Sequence, residues 1–223
     1  MLLIDLDPQG NASTGLGIER KSRGRGTYAS LVEGASLSEL VKPTPIPRLS
    51  IVPADLDLVG AELELMDVDG REQRLKKALA DEIPVSFVIL DCPPSLGLLT
   101  LNSLVAANSV LIPLQAEFYA LEGLSHMTQT IDRVRRSWNP HLVLEGIVLT
   151  MFDRRNNLSA AVADDARGHF GAKVFQTAIP RNVRVSEAPS HGLPVTAYDV
   201  RSPGAQAYLN LAAELLRRNG MMT

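Results

Sequence analysis

Three aspartates carry the chemistry that this chain can be read for. Asp5 and Asp7 stand two residues apart in LLIDLDPQG, and Asp91 closes VSFVILDCPP. Residues two apart on a strand share one face. Each apolar run stops at its acid and then meets proline, at Pro8 or at Pro93 and Pro94. Proline cannot donate to a ladder, so the chain leaves the sheet there. In an open parallel sheet, that carboxyl end is where ligands bind. Carboxylates gathered on one edge repel unless a cation lies among them, and Mg²⁺ held against nucleotide phosphates is a common arrangement. A strand-end aspartate can also do no more than cap the helix that follows.

These acids need elements to hold them. The spacing predicts a strand from Leu2 to Asp7 and a small-residue loop from Asn11 to Gly17. Arg20 to Gly26 reads as an exposed basic turn, and Leu49 to Pro53 as a short strand. Asp55 to Ala80 has helical spacing at Leu56, Val59, Leu63 and Met66, then at Leu75 and Leu79, with a break near Gly70. Val85 to Leu90 reads as a strand buried on both faces of a parallel sheet. Ser95 to Ala107 follows as a helix, then SVLIPL (109–114) as another buried strand. Leu121, Leu124, Thr128, Ile131 and Val134 mark an amphipathic helix. Strands are expected at 142–150 and 174–179, with a helix at 158–170 between them. The last helix starts with Ser202 as N-cap and Pro203 at the first helical position, buries Tyr208, Leu209, Ala212, Leu215 and Leu216, and stops at Gly220. Strands alternating with helices predict an α/β fold, a doubly wound, mostly parallel sheet, in one domain over residues 1–223.

Composition bounds the function. The chain has 223 residues and a net charge of −3. Residues 1–100 hold 10 basic and 15 acidic side chains, net −5, and residues 101–223 hold 12 and 10, net +2. Any DNA-binding surface is therefore a local patch on the second half. The single cysteine, Cys92, leaves no disulfide framework or cysteine-clustered metal site and is compatible with a reducing cytoplasm. No run approaches the ~18 apolar residues of a membrane span.

Longer stretches carry a resemblance. LLIDLDPQGNASTGLGI and FVILDCPPSLGLLTLNSL, then LIPLQAEFYALEGL, GIVLTMFDRRNNLS and IPRNVRVSEAPSHGLPV, resemble in this order segments of the ParA/Soj family of chromosome- and plasmid-partitioning ATPases. The wider group is the deviant Walker A ATPases, P-loop NTPases that include MinD and the nitrogenase iron protein. The resemblance implies an ATPase using ATP and Mg²⁺, with Asp7 positioning the attacking water and Asp91 holding Mg²⁺ through a water. It implies nucleotide contacts at Asp5 and Asn11, with Pro180, Arg181 and Asn182 framing the adenine and Met151 and Asp153 nearby. It implies a homodimer formed with ATP, non-specific DNA binding through Arg184, Arg201, Arg217 and Arg218, a ParB-type partner protein, and a cytoplasmic, nucleoid-associated location with no membrane contact.

The chain also departs from the family pattern. The family opens with a strand, a glycine-rich phosphate loop bearing lysines, and a helix, and no G-x-x-x-x-G-K-[ST] occurs here. Gly10 to Gly15 has the glycine spacing, but Leu16 stands where lysine is needed to neutralise phosphate charge. The expectation is an N-terminally truncated chain, inactive toward ATP by itself, with an unpaired edge on the Asp91 strand and another on the 109–114 strand. Two further readings stand beside it: a nucleotide-dead binding module, and a MinD-like membrane-surface ATPase. The C-terminus LAAELLRRNGMMT lacks the basic amphipathic helix that the second would need.

Overall fold

The computed structural model describes residues 1–80, 83–117, 120–153 and 155–222. Phe118, Tyr119 and Arg154, which fall within segments quoted above, lie outside the described residues. The chain divides into two compact units. The first spans 1–108 with 137–140 and 189–193, and the second takes 109–136, 141–188 and 194–223.

In chain order the first unit contains β1 (Leu2–Asp5), α1 (Asn11–Gly15), α2 (Leu37–Leu40), β2 (Lys42–Pro43), β3 (Ser50–Val52), α3 (Ala61–Glu64), α4 (Arg74–Ala78), β4 (Val88–Asp91) and α5 (Leu98–Ala106). Among the described residues its strands form one sheet in the order β2-β3-β1-β4. β1 runs parallel to both β3 and β4, and only β2 is antiparallel. Leu2, Ile4 and Leu6 are fully buried, and they pack with Leu31, Leu37, Val52, Leu58, Leu65 and Leu75 into one core. The central strand is thus apolar because helices and turns cover it, as a parallel sheet requires.

The second unit contains β5 (Ser109–Gln115), α6 (Ala120–Ser137), β6 (Val143–Thr150), α7 (Asn157–Phe170), α8 (Val183–Glu187), α9 (Val195–Tyr198) and α10 (Pro203–Arg218). β5 and β6 pair in parallel. α6 buries Leu124, Ile131 and Val134, the stripe its spacing predicts. Asn156 caps α7 by accepting from Leu158 N, and Ser202 Oγ accepts from Ala205 N with Pro203 at the first helical position. Gly220 ends the last helix in the left-handed conformation, φ 67°. The predominantly parallel α/β architecture expected from the sequence is what is found.

Several local expectations are corrected. β4 is not buried on both faces: among the described residues it pairs with β1 alone, and Val88 and Ile89 are 38% and 47% exposed. β5 buries one face only, Ile112 and Leu114, while Leu111 and Pro113 face out. Residues 174–179 make single bridges, Val174 to Ile147 and, just beyond, Pro180 to Phe152, in place of a strand. α10 buries Gly204, Ala205, Ala207 and Leu211, and it leaves Tyr208 and Leu209 exposed. The apolar residues at helical spacing in 56–66 are not the ones that form the inner face. Leu58, Ala61 and Leu65 face the core, and Leu56, Val59, Leu63 and Met66 face solvent.

Candidate functional site

β1 and β4 lie side by side with Asp5 opposite Asp91 in the register. Leu6 N donates to Asp91 O at 2.8 Å, so pairing continues one residue past β1 and brings Asp7 to the same edge. The three aspartates singled out from the sequence therefore share one sheet edge, but their environments differ.

Asp5 is fully buried. Its Oδ2 accepts from Ser13 N at 2.8 Å and from Ser13 Oγ at 2.6 Å, and its Oδ1 accepts from Asp7 N at 3.2 Å. Burial pushes its pKa up, against the pull of those hydrogen bonds and of Arg23. Among the described residues, no such donors offset the burial of Asp91. Burial, then the charges of Asp5 and Asp7, raises its pKa to about 6. Asp7 is part-exposed at the turn, where its Oδ1 accepts from Gln9 N at 2.9 Å. Asn11 opens α1 and is exposed.

Residues that the sequence reading missed hold this edge in place. Arg23 lies in the stretch expected to be an exposed turn, yet it is only 2% exposed. Its guanidinium donates to Gly10 O (2.8 Å), Thr14 Oγ1 (2.7 Å), Ala54 O (3.3 Å) and Ile18 O (3.4 Å). A buried cation is tolerated when its donors are satisfied. Gly10 sits at φ 64°, and a Cβ there would fall on the Arg23 guanidinium. Asp55 closes the same region, accepting from Gly26 N at 2.7 Å and Tyr28 N at 3.3 Å. The small residues from Asn11 to Gly17 were the available signal, since only small side chains leave room for so large a buried group.

The donor set can be tested against a metal. Among the described residues, no group of three or more His, Cys, Asp or Glu side chains could hold a cation. Asp5 is committed to Ser13, leaving Asp91 as the carboxylate that a nearby cation would most relieve. This fits a Mg²⁺ ion whose remaining ligands are water and phosphate oxygens, as is usual for Mg²⁺ at nucleotides.

In the second unit, the residues expected around the adenine are brought together by backbone pairing. Phe152 N donates to Ile179 O at 3.0 Å, and Arg181 N to Phe152 O at 3.3 Å. This ties Met151–Asp153 to Pro180–Asn182. Met151 holds a left-handed φ of 52°. Asn182 Oδ1 accepts from Arg184 N at 3.1 Å and caps α8. Asp153 is bonded by Arg155 N, Nε and Nη2, and these hydrogen bonds hold its pKa below the usual range. A cavity of about 820 Å³ opens beside these loops, lined by Phe152, Asp153, Arg155, Pro180, Arg181 and Gln206 among others.

The four arginines assigned to DNA divide. Arg184 is exposed and ion-paired to Glu187 at 2.8 Å and Asp199 at 3.4 Å. Arg201 and Arg217 are exposed. Arg218 turns inward: its guanidinium lies 3.9 Å from the Phe175 ring centroid, donates to Ala172 O and Val174 O, and pairs with Glu214 at 2.8 Å.

Known proteins resemble this chain along most of its length. The AAA domain family model matches residues 1–144. The chain is 52% identical over 219 residues to the chromosome partitioning protein ParA of Myxococcus xanthus, covering 98% of this chain and 77% of that protein. It is 49% identical over 220 residues to the chromosome-partitioning ATPase Soj of Treponema pallidum, covering 98% and 86%. A crystal structure titled cobyrinic acid a,c-diamide synthase from Mycobacterium smegmatis, with bound ADP and magnesium, superposes with a TM-score of 0.84 at 36% identity, covering 98% of this chain and 82% of that one.

Proposed function

The chain belongs to the ParA/Soj family of chromosome-partitioning ATPases, and from that premise we propose that it serves DNA partitioning as the acidic and base-binding part of a Mg²⁺–ATP switch. The observation that carries this is the register of Asp5 against Asp91, with Asp7 on the same edge. Mg²⁺, when bound, would supply neutralisation of phosphate charge. Asp91 would hold it through a water, and the cation would offset the burial and the neighbouring charges of Asp5 and Asp7 that raise the pKa of this carboxylate. Asp7 would orient the attacking water. Asp5 would act at one remove, fixing Asp7 N and Ser13 so that the turn carrying Asp7 and Asn11 keeps its shape. Phosphoryl transfer asks for this kind of positioning more than for covalent chemistry. Pro180 to Asn182, with Met151 and Asp153, would receive the base. The sequence holds no phosphate-loop lysine, so these 223 residues by themselves would turn over little or no ATP.

The rest of the family role follows as part of the same proposal. One nucleotide-binding domain would dimerise with ATP and bind DNA without base reading, meet a ParB-type partner, and work in the cytoplasm on the nucleoid. The exposed Arg184, Arg201 and Arg217 suit phosphate contacts better than the inward Arg218. Among the described residues no helix is long and apolar enough to cross a membrane.

ATP turnover by the 223-residue chain, measured beside Asp7→Ala, tests the nucleotide reading. The expected rates are equal and at background, and turnover that disappears in Asp7→Ala would overturn the inactivity. For DNA, the triple change Arg184→Glu/Arg201→Glu/Arg217→Glu should weaken duplex binding and flatten its salt dependence, while Arg218→Glu should mainly lower the melting temperature. Equal DNA affinity for the triple variant and the wild type across a salt series would remove these arginines from the interface.

A further inference from the structure

Residues 174–179 lead into the Pro180–Asn182 loop and are fastened to β6 near their two ends. Phe175 N donates to Ile147 O and Ile179 N to Leu149 O, both at 2.8 Å. Between these points Gln176 N and Thr177 N find their acceptors on one side chain. Glu214 Oε1 accepts from Gln176 N and Oε2 from Thr177 N, each at 2.9 Å. A carboxylate set on two successive N–H groups replaces a ladder neighbour, with the strength of charge-assisted bonds.

The surroundings of Glu214 suit this work. Its side chain is 12% exposed. Burial pushes its pKa up, but the hydrogen bonds from Gln176 N, Thr177 N and Arg218 outweigh that and hold it below the usual carboxylate range. It is therefore ionised at neutral pH, and both oxygens accept. Arg218, one turn further on, pairs with Oε1 at 2.8 Å and donates to Ala172 O and Val174 O. At the other end of α10, a Cβ on Gly204 would strike the Val185 side chain and stand 3.2 Å from Asn182 Cβ. Between the two ends, Ala207 and Leu211 share a core cluster with Phe175 and Ile179. One helix thus touches the chain from residue 172 to residue 182. Both elements also line the cavity of about 820 Å³, with Gln206 and Asn210 from α10 and Gln176 and Ala178 from the segment. Fixing one against the other sets the width of that cavity.

We propose that Glu214 is a positioning residue for the base: by pinning Gln176 and Thr177 to α10, it holds the Pro180–Asn182 loop and its cavity in the shape that receives adenine. The proposal rests on the reading of these loops as the base site. Glu214 touches no nucleotide in this role and acts through the segment it fixes. A loop ordered in advance spends none of its binding energy on ordering, whereas an unpinned loop loses affinity by that cost.

The test uses the isotope-labelled 223-residue chain, titrated with adenosine and read by the amide shifts of Arg181 and Asn182. Hydrogen exchange at Gln176 and Thr177 is measured on the same samples. Adenosine carries the base without phosphates, so the base alone is read. The wild type should saturate. Glu214→Ala should lose exchange protection at both amides and bind about tenfold more weakly. Glu214→Gln keeps the shape of the side chain and one accepting oxygen, so it should protect one amide and fall between the two. It decides alone if the alanine variant does not fold. Ile131→Val, a buried change on α6, should lower the melting temperature and leave the affinity at the wild-type value. An equal loss of affinity in Ile131→Val would reduce the effect to general stability and overturn the proposal. Equal affinity for the wild type and Glu214→Gln, with exchange lost at either amide, would overturn the positioning role and leave the base site standing. So would full protection of both amides in Glu214→Gln. Wild-type shifts that do not saturate at Arg181 and Asn182 would overturn the base site itself, and this proposal with it.

Discussion

The carboxyl end of β1 and β4 and the loop pair Met151–Asp153 with Pro180–Asn182 each hold residues assigned to nucleotide contacts, and they are built on opposite principles. At the sheet edge the acids are buried or half-buried, and Asp5 is tied to groups from Asp7 to Ser13 within reach of the buried Arg23. In the loop pair the charges lie on the surface, and Asp153 answers chiefly to Arg155, two residues away. Desolvation makes each acid at the sheet edge matter to folding, whereas solvent screens the loop charges until they matter chiefly to a ligand. Substitutions at the sheet edge should therefore register in stability, and those in the loops in binding.

The strongest test of this contrast is Asp5→Ala. It removes the acceptor for Ser13 N, Ser13 Oγ and Asp7 N and takes the neighbouring charge from Arg23, so the folded state should lose ~3 kcal/mol or more. Urea unfolding reads this directly, and a loss below ~1 kcal/mol would mean that Asp5 is not the hub described.

Asp91→Asn should move stability the other way, with a pH signature. The folded pKa of Asp91 is raised from 3.8 to about 6. Below the unfolded value both states are protonated and the group contributes no pH dependence. As pH rises from about 4 to 6 the unfolded chain ionises first, so wild-type stability falls through that window and stays lower above it. The asparagine variant lacks this term. It should match the wild type near pH 4 and exceed it by ~1–3 kcal/mol at pH 7. Parallel pH–stability curves for the two proteins would show that Asp91 is not crowded as the geometry indicates.

The smallest effect on folding is expected at Asp153→Ala. Its partner Arg155 is highly exposed, so the melting temperature should stay within the scatter of the wild type. If the loops receive a base, binding of a fluorescent adenine nucleotide should nevertheless weaken. A clear drop in melting temperature would erase the distinction between the two regions.

Patterns local to the chain determined a good deal. Leu2 to Asp5 and Leu90–Asp91 were legible as strands stopped by proline beyond an acid. The stripe Leu124, Ile131, Val134 was legible as the inner face of one long helix, and Ser202 before Pro203 as a helix start. Each rests on steric or hydrogen-bonding rules that act over a few residues, so the sequence alone was enough. The sharing of one edge by Asp5, Asp7 and Asp91 was legible too, because parallel strands leave their carboxyl ends together.

What only the tertiary structure decided was phase, edge and burial. Helical spacing at 56–66 allowed either of two faces to point inward, and the core took Leu58, Ala61 and Leu65 because those meet the β1 sheet while Leu56, Val59, Leu63 and Met66 do not. An apolar strand does not state how its faces are covered, so Val85 to Leu90 read as buried on both faces, whereas Val88 and Ile89 stand 38% and 47% exposed. Arg23 looked like a solvated turn residue because the oxygens that satisfy it, on Gly10, Thr14, Ile18 and Ala54, are up to 31 positions away in sequence. Burying a guanidinium is allowed only once such acceptors converge, and their convergence is a property of the folded chain.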